Sequence, residues 1–189
     1  MDKKQLALNN FRAVLRELRS VSANQIKVVT HAADKYAFIA ADIAGLLSRR
    51  LREVPVPMIL PYMYSIDSIV KSARKGPYRQ FFEKTLPRDF PMVFERADKN
   101  TRREMFGVRK AWNAVPVSEQ EPRGRAALFA VPMMHQLDKA VSKIDRNWPV
   151  IALPKTQIKH EAENTTHVRD DFKLYCNKFY KCRAVVVVR

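Results

Sequence analysis

The chain has 189 residues, 47% of them apolar, and 35 Lys and Arg against 19 Asp and Glu give a formal charge of +16. This fits one domain with a core of its own plus a tail, and no stretch approaches the roughly 20 apolar residues of a membrane span. Two cysteines, Cys176 and Cys182, exclude a disulfide framework and a four-ligand zinc set.

Residues 1–113 hold 22 basic against 11 acidic side chains, so the charge belongs to the body of the chain and not to a detachable tail. Such a surplus favours nucleic acid, phosphorylated peptide or acidic lipid as partner. The N-terminal MDKKQLALNN has no apolar core for a signal peptide, and with so few cysteines the chain reads as a reduced intracellular protein. Asn164-Thr165-Thr166 matches the glycosylation triplet and reads as chance.

In chain order, Leu6, Leu8, Phe11, Val14, Leu15 and Leu18 recur at helical steps, predicting a helix over 5–19. Ser20 or Ser22 suits the cap of a second, running to Tyr36. A third follows from Phe38 to Val54 and stops before Pro55. Pro55 and Pro57 suit the start of a fourth, which ends at Gly76-Pro77. A fifth covers Tyr78–Leu86, with PRDFPMVFERA as a broken continuation. Asp98 or Asn100 caps a sixth over Thr101–Trp112, unless Thr101 and Glu104 form a capping box. Residues 116–125 read as a loop, Val131–Val141 as a short helix, and DRNWPVIALP as an extended exit. The AVVVV tract near the C-terminus resembles a strand without a partner.

Tyr64, Asp67, Ser68 and Lys71 share one face of the fourth helix. That face is either solvated, with a local Asp67–Lys71 ion pair, or the polar edge of a groove in which Asp67 accepts a ligand hydrogen bond and Tyr64 packs on an apolar ligand group. Trp112 and Trp148 read as core or anchoring residues. His31, His135, His160 and His167 have no metal or catalytic spacing, and nothing suggests an activated nucleophile. No enzyme, metal or cofactor is expected.

YSIDSIVKSARKGPYRQFFEKTLPRDF followed by DKNTRREMFGVRKAW resembles the RNA polymerase II CTD-interacting domain, the CID or RPR family. Its signature is an aliphatic-Asp-Ser-Ile-Val-Lys helix, a Gly-Pro-Tyr step and a Thr-Arg-Arg helix ending in tryptophan. The likeness covers roughly residues 5–145. KAVSKIDRNWPVIALP resembles the linker of the Pcf-type branch, from the pre-mRNA 3′-end cleavage factor. The resemblance implies an all-α right-handed superhelix of about eight helices, related to VHS and ENTH domains. It also implies a groove between helices two, four and seven for the polymerase heptad Tyr-Ser-Pro-Thr-Ser-Pro-Ser. The sixth helix counted above corresponds to that seventh.

Carried over residue by residue, Asp67 bonds the peptide, with Ser68 and Lys71 beside it, and Tyr64 with Ile69 lines its pocket. Ser22 and Lys27 sit at the helix-two edge, and Met105, Val108 and Arg109 on or near the helix-seven side. Gly107 stands where strong phosphoserine readers often carry arginine. Arg103 and Lys110 flank it on the same face and could supply the positive field, so phosphate dependence is expected to be weak to moderate.

The expected function is recognition of phosphorylated polymerase heptads in the nucleus, coupling transcription to 3′-end cleavage, polyadenylation and termination, with other cleavage-factor subunits as further partners and no membrane. One alternative is an RNA-binding module using Arg74, Lys75 and Arg79 beside Lys71. The other is a trafficking adaptor of the VHS or ENTH type. Residues 1–145 are the expected domain, and 146–189 a linker and C-terminal extension.

Overall fold

Helix starts and stops fall where capping chemistry puts them. In the computed structural model, which describes residues 2–72, 76–113, 115–116 and 125–148, Asp2 precedes α1 (Lys3–Arg16) and accepts from the Lys4 N–H at 3.3 Å. Ser22 is the N-cap of α2 (Ala23–Lys35) but makes no capping bond. Gln25 Oε1 instead accepts from the N–H groups of Arg19 and Ser20, at 3.1 and 3.2 Å, which ties the α1–α2 turn together. Val54 closes α3 (Ala40–Glu53) in an extended conformation, as the residue before a proline prefers. Asp98 caps α6 (Lys99–Ala111) by accepting from Thr101 N–H at 2.8 Å, so the alternative box at Thr101 is not used.

Between these lie a 3-10 turn (Ala37–Ile39), α4 (Val56–Ser72), α5 (Tyr78–Arg96) and α7 (Val131–Ile144). The all-α expectation holds, and the 3-10 turn brings the helical segments among the described residues to eight. Two expectations are corrected. The helix from Tyr78 does not break after Leu86 but runs through Pro87 and Pro91 to Arg96. An interior proline costs ~3 kcal/mol, and here Phe82, Leu86, Phe90, Val93 and Phe94 are all buried along the same helix, so packing outweighs propensity. The segment read as a loop also begins and ends in structure, since β1 (Val115–Pro116) pairs antiparallel with β2 (Arg125–Ala126).

Even and odd helices form two layers. α4 packs between α2 and α6, while α1, α3, α5 and α7 follow one another in the second layer. Alternate helices stacking this way make a short superhelix with α4 at its centre. The odd layer is pinned by Asp89 of α5, which accepts from Ser48 and, at 2.8 Å each, from Arg52 and Arg88. At the seam between layers, the Tyr78 hydroxyl donates to the Ala33 carbonyl of α2 at 2.8 Å. Burial, then the nearby Asp34 carboxylate, raises the Tyr78 phenol above its usual range.

The Thr101 N–H holds Asp98 below the ordinary carboxylate range. A depressed folded pKa contributes stability that is present above the unfolded value of about 4 and is lost as pH falls through the folded value. Asp98→Asn keeps a capping oxygen that does not titrate, so its melting temperature should fall less steeply than wild type on acidification; parallel slopes would remove the cap from the acid transition. At Gly45 in α3, an added Cβ would meet nothing within 4 Å. Gly45→Ala should therefore raise stability by about 0.5–1 kcal/mol in urea unfolding, and a loss would reveal an unrecognised contact.

Candidate functional site: the α2–α4–α6 layer

Every residue of α4 from Pro61 to Val70 is buried, although the sequence places hydroxyls, phenols and a carboxylate there. Buried polar groups persist when each finds a partner. Ser65 donates to the Pro61 carbonyl at 2.8 Å. The Thr30 hydroxyl of α2 donates to the Ile26 carbonyl at 2.9 Å and is hydrogen-bonded to the Ser68 hydroxyl at 2.8 Å. The Tyr64 hydroxyl donates to Glu104 of α6 at 3.0 Å. Asp67 Oδ1 accepts from the Trp112 indole N–H at 2.8 Å, and Oδ2 accepts from Lys71 at 2.8 Å. The polar stripe of α4 is therefore the fastening that holds α2 on one flank and α6 on the other.

Tyr64, Asp67, Ser68 and Lys71 do come together on one face, as their spacing predicts, but that face is covered. Asp67 is 0% exposed, Tyr64 3% and Ser68 7%, and the Lys71 side chain keeps 14%. This corrects the picture of Asp67 as an open groove carboxylate. Ile69, Met105, Val108 and Arg109 also have no exposed surface, because they supply the packing between helices. Arg109 is committed to an internal fork: Nε and Nη2 donate to Asp138 of α7 at 3.0 and 2.5 Å, and Nη1 donates to Asn113 at 2.6 Å.

The exposed members are at the flanks. Lys27 is open on α2, with Ser22 half-buried at its cap, and Arg103, Gly107 and Lys110 are open along one face of α6. A Cβ on Gly107 would meet nothing within 4 Å, so helix packing does not require this glycine. Arg79, an RNA-binding candidate, pairs with Glu83 at 3.0 Å, and Glu83 also accepts from the Ala130 N–H at 2.8 Å. Arg74 and Lys75 lie outside the described residues, as do Cys176 and Cys182. Among the described residues no group of three His, Cys, Asp or Glu could hold a metal, and no helix is long and apolar enough to cross a membrane.

Sequence reasoning missed Thr30, Glu104 and Asp138, the partners that make the layer. Asp138 did leave a signal, as the one acid in a helix that follows a strongly basic one. Asp67→Ala would strand the indole N–H of Trp112 and the ammonium of Lys71, and should cost about 2–4 kcal/mol in urea unfolding. Asp67→Asn keeps an acceptor for Trp112 and should cost less. An alanine variant as stable as wild type would show that Asp67 does not fasten α6 to α4.

Residues 9–121 match the CID domain family. Polyadenylation and cleavage factor homolog 11 of Caenorhabditis elegans is 27% identical over 151 residues, covering 79% of this chain and 17% of that protein. The chain thus spans 17% of the length of this curated relative. A solved structure described as the RPR of Pcf11 aligns with a TM-score of 0.62 at 20% identity, over 72% of this chain and 98% of that one, which shows a shared helical fold. On the match across α1 to α6, the chain belongs to the CID domain family.

Proposed function

We propose that the chain is an interaction module, not an enzyme, that recognises the heptad-repeat C-terminal domain of RNA polymerase II in the nucleus. Through it, transcription would be coupled to mRNA 3′-end cleavage, polyadenylation and termination, with other cleavage-factor subunits as further partners. Family membership and likeness to a polyadenylation and cleavage factor support this reading. It sets aside the trafficking-adaptor alternative. The observation that carries it is the arrangement of the even layer: an α4 buried from Pro61 to Val70, with exposed cations on both flanking helices, Lys27 on α2 and Arg103 and Lys110 on α6.

In this proposal the ligand contacts are Ser22, Lys27, Lys71, Arg103 and Lys110, with the small exposed remainders of Tyr64 and Ser68. Asp67, Ile69, Met105, Val108 and Arg109 act beneath them, fixing the spacing of the walls. The proposed domain extends past residue 145 to Trp148, which is 6% exposed and packs edge-on to Phe94 and Phe106 at 5.1 Å.

The test is fluorescence anisotropy with two-heptad peptides, unmodified and phosphorylated at the second-position serine. Lys27→Glu and Arg103→Glu should each weaken the phosphorylated peptide while the chain stays helical. Gly107→Arg adds a planar donor on the Arg103 and Lys110 face. A charge-assisted contact contributes about 1.5–3 kcal/mol, so preference for the phosphorylated peptide should rise by about tenfold or more. Failure of the wild-type chain to bind either peptide would defeat the functional reading; binding with an unaltered ratio in Gly107→Arg would remove only the phosphate from that face.

A further inference from the structure

Met58 and Tyr62 stand one turn apart on α4, on the side nearly opposite Tyr64, Asp67, Ser68 and Lys71. There a cleft of about 320 Å³ opens between the end of α1, α3 and the start of α4. Its lining includes four arginines, Arg12, Arg16, Arg19 and Arg50, and no Asp or Glu. All four are exposed. The floor is aliphatic, with Leu46, Val54 and Met58 half-buried over it.

A basic last turn on α1 could be no more than an answer to the helix dipole. That account covers Arg16 and also Arg50, in the last turn of α3, but not Arg12, which lies a full turn before the end of α1, and it gives no reason for two helix ends to share one concavity. Local acids do little to neutralise the group. Arg50 meets Glu53 only at 3.8 Å, with both side chains 54% exposed, and Arg12 bonds the neutral Asn9 amide oxygen at 3.1 Å. Burial raises the Tyr62 phenol above its usual range, against the opposing pull of Arg50, so the floor contributes no anion at neutral pH. Guanidinium groups from two helices therefore converge on one apolar concavity without a protein counter-charge in its lining.

The chemistry of the floor distinguishes between polyanions. Single-stranded nucleic acid sites pair cations with open rings on which bases stack, and the one ring here, Tyr62, is 5% exposed. Aliphatic side chains are what the cleft offers instead, and these suit an apolar peptide anchor. Arginine forks match carboxylates in bidentate fashion. We propose that this cleft is a second docking site, for an acidic peptide segment in which Asp and Glu side chains flank one apolar side chain seated on Met58 and its neighbours. It is separate from the heptad groove and does not depend on that reading.

The full 189-residue chain should bind a fluorescein-labelled peptide rich in Asp and Glu with one central leucine, at physiological salt. Arg12→Glu combined with Arg16→Glu should weaken it by about tenfold or more, since each removes a charge-assisted contact. Arg50→Glu, on α3, should do the same without touching α1. Replacing the peptide leucine by serine should also weaken binding, which simple charge attraction would not produce. Heptad-peptide affinity should be unchanged in the Arg12 and Arg16 variant. The proposal is overturned if the acidic peptide does not bind, if charge reversal or loss of the leucine leaves its affinity unaltered, or if both peptides weaken equally. It is also overturned if a mixed-sequence RNA oligonucleotide binds more tightly and displaces the peptide, which would make the cleft a nucleic-acid surface.

Discussion

The carboxylate of Asp67 sits with no solvent contact at the centre of the even layer, and the geometry of that layer follows from how it is satisfied. An isolated buried charge is far too costly to keep, so the indole of Trp112 and the ammonium of Lys71 must both stay in place. Trp112 stands at the C-cap of α6, and its position fixes where that helix ends against α4. From there the chain of constraint passes outward through Arg109 to Asp138, and from Asp138 to the indole N–H of Trp148 at 3.3 Å. Polar bonds that must all be made together specify one arrangement of helices more sharply than aliphatic packing alone.

Division of labour within α4 follows from this. A helix segment buried all round is ordinarily apolar all round, yet between Pro61 and Val70 α4 turns Tyr64, Asp67 and Ser68 to α2 and α6. Those groups hold the flanking helices at a fixed separation, and the flanking helices carry the exposed cations. The residues that resemble a binding motif thus shape the surface from below, and the residues at the surface are ordinary lysines and arginines whose positions are inherited. The opposite side of α4 plays a different part, since Met58 and Tyr62 close the base of the arginine cleft.

Much of the fold was legible because its local signals are strong. The hydrophobic steps of α1, the stop before Pro55 and the Asp98 cap all lie in short windows of sequence. α5 misled because proline punctuates unpacked helices and here Phe82, Phe90 and Phe94 pack on both sides of it. The short ladder of Val115–Pro116 with Arg125–Ala126 is invisible to a local reading, since each strand is two residues long and the pairing is between the ends of a polar segment. At the site, periodicity placed Tyr64, Asp67, Ser68 and Lys71 on one face correctly. It could not say whether that face meets solvent or another helix, because Thr30, Glu104 and Trp112 are 38, 40 and 45 residues away in the chain from their partners.

Both tryptophans of the chain belong to one aromatic cluster, each ring packing on Phe90. Trp112 packs on Phe129 and Phe90 at 4.9 and 5.9 Å, and Trp148 on Phe94 and Phe106. Tryptophan emission of the folded chain is therefore a local signal, reporting the α5–α6–α7 corner rather than the ends of α1 or α2. The indole of Trp112, bonded to a carboxylate in a dry setting, and that of Trp148, closer to the surface, supply emitters in two different environments. Unfolding followed by fluorescence and by far-ultraviolet circular dichroism will coincide only if the two ends of the superhelix melt as one cooperative unit.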